Sequence, residues 1–187
     1  HFEFAFGLEG PAAEDADEAS TSDAGSVETP SGPLRLRGRI DRVDEVQWEG
    51  ETGLLVVDYK TGRLPTVRDM EEGRSLQAVL YAAVAQDLLD RAAMGGAFHH
   101  VGDRPSERLF ARFKRGRNGP AANRKYEQQL ESALKHAGRF VQAMRQGRFD
   151  CLPTHDCPSY CPYRTICQYS EARAARKGES SEEGEDE

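Results

Sequence analysis

From Phe2 to Phe6 every second residue is aromatic, and this alternation predicts a β-strand that ends at Gly7. The next regular pattern begins at residue 34. Leu34, Leu36 and Ile40 fall on one face of an extended chain and Arg35, Arg37, Arg39 and Asp41 on the other, which predicts a strand with one buried and one polar side. Glu49-Gly50-Glu51-Thr52-Gly53 reads as a turn, so the following strand, Leu54 to Lys60, is expected to pair antiparallel with its predecessor. Its four consecutive apolar residues, Leu54-Leu55-Val56-Val57, predict burial on both faces and a central place in the sheet. A polar connection after Thr61-Gly62 leads to a helix from about Ser75 to Arg91, with Leu76, Val79, Leu80, Ala83, Val84 and Leu88 on one face. Gln77 and Tyr81, four apart, stack on an adjoining face within reach of the strand ends. Ala97 to Val101 and Arg108 to Lys114 read as two further strands around an Asp-Arg-Pro turn. A long helix from about Ala122 to Arg145 repeats Tyr126, Leu130, Ala133, Leu134, Ala137, Phe140, Val141 and Met144 at helical spacing and ends near Gly147.

Two segments break this pattern. Residues 10–33 are rich in Ala, Ser, Gly, Pro and acids, cannot bury a core, and are expected to be a disordered, mobile acidic loop. Residues 170–187 end in a run of Glu and Asp and are expected to be a disordered acidic tail. Residues 1–169 then form one domain, a size that supports a single core. The chain begins with His1 rather than Met, which reads as the C-terminal piece of a longer protein or an expressed fragment. No stretch resembles a signal peptide or approaches the roughly 20 apolar residues that span a bilayer, so a cytoplasmic or nucleoid-associated location is expected.

The formal net charge of -7 argues against a polyanionic partner until its distribution is considered. Twelve acids lie in residues 10–33 and 178–187, which hold no Lys or Arg; without them the remainder carries +5. Arg104, Arg108, Arg112, Lys114, Arg115, Arg117, Arg124 and Lys125 concentrate the basic charge, opposed in that stretch mainly by Asp103 and Glu107. Arg112, Lys114, Arg115 and Arg117 are the expected contacts for a polyanion such as DNA, the alternative being the solvated face of a strand and loop.

Asp58 and Lys60 stand two apart on one strand and project from the same face, so a carboxylate and an ammonium point at one spot. Singly, each reads as half of a surface ion pair. If Asp41 comes from the neighbouring strand, the spot holds two carboxylates that repel unless a proton or cation lies between them, and a lysine able to meet a phosphate oxygen. That equipment suits hydrolysis of a phosphodiester.

The ordered stretches Gly38-Arg39-Ile40-Asp41-Arg42-Val43-Asp44, Val56-Val57-Asp58-Tyr59-Lys60-Thr61-Gly62 and Gln77-Ala78-Val79-Leu80-Tyr81 resemble the nuclease core of the PD-(D/E)xK superfamily in its RecB/AddB-like branch. The corresponding signatures there are G-x-I-D-R-x-D, D-Y-K-T-G and Q-x-x-x-Y. The resemblance implies a restriction-endonuclease-like α/β fold, a mixed central sheet flanked by helices. It implies that Asp41, Asp58 and the Tyr59 carbonyl bind Mg²⁺ or Mn²⁺, that Lys60 is the catalytic lysine, and that Gln77 and Tyr81 steady the site or the DNA strand. Asp44, three residues from Asp41, should face the other way and is left out of the site. Relatives usually add a metal-binding histidine from an upstream helix; His1, His99, His100, His136 and His155 match no such motif.

Cys151, Cys157, Cys161 and Cys167 cluster as C-x₅-C-x₃-C-x₅-C within residues 151–169. In an intracellular chain this favours a metal site over disulfides, and both zinc and an iron–sulfur cluster accept four thiolates. Here too the resemblance adds a choice: Cys157, Cys161 and Cys167 resemble the iron–sulfur cysteines of helicase-associated members, which implies a [4Fe–4S] cluster with Cys151 as a local fourth ligand. The implied function is a metal-dependent DNA exonuclease acting on single-stranded ends delivered by a helicase partner or domain in double-strand-break repair. The alternatives are a non-catalytic module that guides DNA and a stand-alone exonuclease of the CRISPR-associated kind.

Overall fold

A computed structural model describes residues 1–102, 105–117 and 119–149. The chain divides into two compact units, residues 1–142 and 143–187. Of the second, only residues 143–149 are described, and they complete the last turn of a helix and the turn after it.

The centre of the first unit is a five-stranded sheet built from β1 (Phe2–Phe6), β4 (Gly38–Trp48), β5 (Glu51–Lys60), β6 (Ala93–His100) and β7 (Ser106–Ala111), in the order β1-β4-β5-β6-β7. β4 and β5 form the expected antiparallel hairpin across Glu49-Gly50, both with positive φ. β5 is central, and Leu54 through Asp58 are all buried. β5 and β6 run parallel, joined across the sheet by α1 (Val67–Glu71) and α2 (Gln77–Leu89); all other strand pairs are antiparallel, which makes the sheet mixed. Alternation along β5 divides the core. Leu54 and Val56 face α2 together with Phe4, Phe6, Ile40 and Val43. Leu55 and Val57 face the opposite side with Ala97 and Ala111. A third cluster joins Phe98 and Phe110 to Met70, Ala78, Val79, Tyr126 and Ala133, tying β6 and β7 to α1, α2 and α3 (Tyr126–Arg145). Close approach of α2 to β6 requires Gly96, where a Cβ would lie 2.9 Å from that of Ala78.

Three expectations differ from what is observed. The strand read from Leu34 to Asp41 is broken at Arg37 into β3 (Leu34–Leu36), which pairs with β2 (Gly25–Val27), and β4, which pairs with β1 and β5. Leu34 and Ile40 still enter the same core cluster, so the shared apolar face was read correctly although it belongs to two strands. The chain after β7 turns back through β8 (Phe113–Gly116) and β9 (Gly119–Ala122), a hairpin in place of a single long strand.

The third difference is in residues 10–33, expected to lack any core contact. They contain a 3-10 turn at Gly10–Ala13 and β2, whose Val27 is 2% exposed. The intervening loop runs along the outer edge of β1. There the Asp17 amide donates to Glu3 O at 3.2 Å, the Thr21 amide to Ala5 O at 3.0 Å, the Gly7 amide to Thr21 O at 3.0 Å and the Ala5 amide to Ser20 Oγ at 2.9 Å. Arg39 adds bonds to the carbonyls of Ala12 and Glu14 at 2.8 and 3.0 Å. Backbone groups at a sheet edge need partners, and Asp, Ser and Thr supply them without an apolar side chain.

α1 begins with a reciprocal capping box. The Asp69 amide donates to Thr66 Oγ1 at 3.1 Å and the Thr66 amide donates to Asp69 Oδ2 at 2.7 Å. Bonds from the Thr66 amide and hydroxyl outweigh burial and, with Arg74, hold the Asp69 carboxyl down at about 2. A depressed carboxyl pKa stabilises the fold above the unfolded value of about 4 and loses that stabilisation as pH falls toward 2. Asp69→Asn is therefore expected to lower the unfolding free energy by about 1–2 kcal/mol at neutral pH, with the gap to wild type narrowing below about pH 4 and closing near pH 2. Urea titrations at the two pH values check this; a gap that does not change with pH would remove the charge from the explanation.

Candidate active site

The β4–β5 ladder ends at the pair Arg42 and Val57, one residue short of Asp41 and Asp58. Ile40 and Val43 lie three apart yet enter the same apolar cluster, so strict alternation fails between them and β4 shifts phase at Asp41. In place of a ladder bond, the Asp41 side chain takes the backbone: the Tyr59 amide donates to Asp41 Oδ2 at 2.8 Å. This brings the Asp41 carboxylate to the end of β5, where Asp58 projects toward α2.

Asp58 is 6% exposed. Lys60 Nζ lies 2.7 Å from Asp58 Oδ2, a close ion pair within the site. The directed bond of Lys60 goes to Gln77 Oε1 at 2.8 Å, and its ammonium sits 5.7 Å from the centre of the Phe98 ring. Burial raises the pKa of Asp58, the hydrogen bond and charge of Lys60 pull it back, and the Asp41 charge adds to the rise. A site that disfavours its own carboxylate is one that a cation would relieve.

Tyr81, one helical turn from Gln77, completes the group. Burial raises its phenol pKa; a hydrogen bond with Gln77 works against the rise, and the charges of Asp58 and Asp41 add to it. Its ring meets Phe6 edge-on, and a Cβ on Gly38 would lie 3.2 Å from its hydroxyl, so the glycine that opens the Gly38–Asp44 stretch leaves the space for Tyr81. Asp41, Asp58, Tyr59, Lys60, Gln77 and Tyr81 are thus gathered at one end of the sheet by three consecutive long elements.

The expected DNA-binding residues lie elsewhere. Lys114 and Arg115 are exposed on β8 and Arg117 is exposed in the turn after it, while Arg112 sits at the bend before β8, 3.5 Å from Glu127. Arg115 is paired with Glu107, which also contacts His99 Nε2 at 2.6 Å. Burial works against the Glu107 carboxylate, but the bonds from His99 and Arg115 outweigh it and hold its pKa below the usual range. His1 Nδ1 is engaged by Asp17 at 2.9 Å rather than by the two site acids. The four cysteines and His155 lie outside the described residues.

Among the described residues no three His, Cys, Asp or Glu side chains gather as a metal cage. The two acids present still suit a hard cation. Asp58 is buried in a setting that disfavours its carboxylate, Asp41 keeps its second oxygen, and Mg²⁺ characteristically binds through one or two carboxylates and retains several waters.

A sequence profile of the PD-(D/E)XK nuclease superfamily matches residues 1–168. The chain belongs to this superfamily. Its mixed sheet, with a central strand ending in Asp58-Tyr59-Lys60, is the restriction-endonuclease-like arrangement expected of a PD-(D/E)XK nuclease domain. Over 77 residues it is 35% identical to a subunit of the ATP-dependent helicase/deoxyribonuclease of Clostridium perfringens strain 13, a match covering 38% of this chain and 7% of that protein. The corresponding subunit from Clostridium botulinum strain Hall is 36% identical over 74 residues, covering 38% of this chain and 6% of the relative. That from Lachnoclostridium phytofermentans is 34% identical over 70 residues, 37% of this chain and 6% of the relative. The matched stretches thus span only a small part of these relatives. Among the described residues no helix is long and apolar enough to cross a membrane.

Arg42, Asp44, His99 and Glu107 were not singled out as site residues from the sequence. Arg42 NH1 donates to the Tyr59 hydroxyl at 2.6 Å, and Asp44 contacts Arg42 rather than Asp58. The position of Arg42 immediately after Asp41 was the signal available.

Proposed function

We propose that this PD-(D/E)XK domain is the metal-dependent DNA exonuclease of an ATP-dependent helicase–nuclease, acting on single-stranded ends. The observation that carries the reading is Asp58: a buried carboxylate with a raised pKa, a lysine 2.7 Å away, and a second aspartate close enough to raise that pKa further. Asp41, Asp58 and the Tyr59 carbonyl would hold Mg²⁺ or Mn²⁺. Such an ion, when bound, polarises a phosphate and lowers the pKa of a water. Lys60, steered by Gln77, offsets negative charge growing on the phosphate oxygens. Tyr81 packs beside the acids and limits their solvation. The helicase partner and the DNA substrate are supported by the names of the relatives, and the [4Fe–4S] cluster on Cys151, Cys157, Cys161 and Cys167 rests on the family resemblance.

The test is cleavage of single-stranded DNA by the full-length protein as Mg²⁺ or Mn²⁺ is titrated after chelation. Activity is expected to be lost on chelation and restored by either ion. The absence of a third acid or histidine beside Asp41 and Asp58 among the described residues favours one rival, a non-catalytic module that guides DNA. DNA binding with no cleavage at any metal concentration would establish that rival.

A further inference from the structure

Tyr59 lies between Asp58 and Lys60, and its peptide is where the proposed metal ligands converge. The β4–β5 ladder has already ended before it, so the strand pairing that remains is on the β6 side, where Tyr59 lies opposite His99, and none from β4 fixes this peptide. Two side-chain tethers from adjacent residues of β4 replace the pairing. Asp41 Oδ2 accepts the Tyr59 amide at 2.8 Å, and Arg42 NH1 donates to the Tyr59 hydroxyl at 2.6 Å. The Arg42 guanidinium carbon is 5.6 Å from the Tyr59 ring centre, so the contact is to the ring as well as its tip. Asp44 Oδ1 lies 2.9 Å from Arg42 Nε, an ion pair out of hydrogen-bond alignment, and on the other side His99 meets the Tyr59 ring edge-on with centres 6.0 Å apart. The ring is held on two sides although it is 40% exposed.

We propose that Arg42, braced by Asp44, is a positioning residue that acts through the Tyr59 hydroxyl to fix the Tyr59 peptide and so sets the affinity of the Asp41–Asp58 site for its divalent ion. This deepens the nuclease reading above and rests on it. The assignment gives each polar residue in the second half of the Gly38–Asp44 stretch a physical task. Asp41 grips the amide, Arg42 grips the ring, and Asp44, whose side chain meets Arg42 and not Asp58, orients the guanidinium. A merely structural contact at an exposed tyrosine would leave metal affinity unchanged, because exposed polar contacts contribute little and are exchanged for water. A tether that orients a metal ligand behaves differently: its loss typically weakens the ion about 10-fold or more.

The experiment is calorimetric titration of Mn²⁺ into the full-length protein without nucleotide, for wild type, Tyr59→Phe, Arg42→Gln, the double variant and Asp58→Asn. Tyr59→Phe keeps the ring and removes only the hydroxyl, so it carries the test even where Arg42→Gln folds poorly. Tyr59→Phe and Arg42→Gln are each expected to weaken Mn²⁺ by roughly 10-fold, the double variant by no more than either alone, and the thermal midpoint of Tyr59→Phe to match wild type. Asp58→Asn is expected to abolish the binding event. If Asp58→Asn abolishes binding while Tyr59→Phe binds as wild type, the positioning role is wrong and the metal site stands. Loss that adds up in the double variant overturns the shared route through the hydroxyl. Wild-type Mn²⁺ binding by Asp58→Asn would remove the metal site itself, and the proposal with it.

Discussion

Lys60→Ala is expected to lower the turnover of DNA cleavage by about 10²–10³-fold or more while DNA binding stays close to wild type. Its ammonium is placed by three neighbours of different kinds: the Asp58 carboxylate at 2.7 Å, the Gln77 carbonyl oxygen at 2.8 Å and the Phe98 ring at 5.7 Å. Such placement fixes a positive charge before substrate arrives, so little reorganisation is needed when charge develops on the phosphate. The loss should therefore appear in kcat rather than KM, because the interaction removed is one that strengthens as charge develops in the transition state. Gln77→Ala should have a smaller effect, because it removes the support and leaves the charge. Single-turnover kinetics at saturating Mg²⁺ decide the point; undiminished turnover of Lys60→Ala would take the catalytic role away from this lysine.

Phe98→Ala is the substitution expected to damage the fold most. Phe98 is fully buried, opposes Asp58 on β5 and Arg108 on β7, and joins α1, α2 and α3 to the sheet through Met70, Val79 and Tyr126. Truncating a buried phenylalanine removes its transfer free energy and leaves a cavity, at a cost of about 3–5 kcal/mol. For a domain of this size that corresponds to roughly 10 °C in Tm. Phe98→Leu fills most of the space and is expected to cost far less, but it removes the ring beneath Lys60 and so should still reduce kcat. Thermal unfolding of the two variants, with activity measured on the leucine form, separates packing from placement. A Phe98→Ala protein that melts with wild type would show that the sheet and helices do not depend on this contact.

Much of the architecture is legible in the spacing of apolar residues because burial imposes it directly. Four apolar residues in a row after a turn pointed to a strand covered on both faces, and β5 is the central strand. The positions of Val79 and Val84 marked the inner face of α2 in the same way. Elements whose stability does not come from an apolar face were not visible. α1 is five residues long and begins with a polar capping box, and the edge loop holds β1 with backbone and hydroxyl groups. The β8–β9 hairpin did have a signal, the Asn-Gly pair at residues 118–119, which was hidden within a basic run.

The site divides along the same line. Asp58 and Lys60 follow from alternation, and Gln77 and Tyr81 from helical spacing. Asp41 lies near enough to Asp58 for its charge to be felt there, and it arrives through a phase shift in β4 that no period-two pattern reveals. Arg42 was given no role, and Asp44 was set aside because alternation turned it away from Asp41. It does lie away from Asp58, and meets instead the guanidinium that holds Tyr59.

The acidic loop along β1 also bears on how this domain behaves at high concentration. An uncovered outer strand is a template onto which another chain can add, the route to aggregates and swapped assemblies. Here the template is already occupied by Asp17, Ser20 and Thr21, in a segment whose carboxylates repel a second copy of itself. A stretch of chain that contributes little to the core is thereby expected to disfavour strand addition by neighbouring molecules, and its low hydrophobicity suits it to that task.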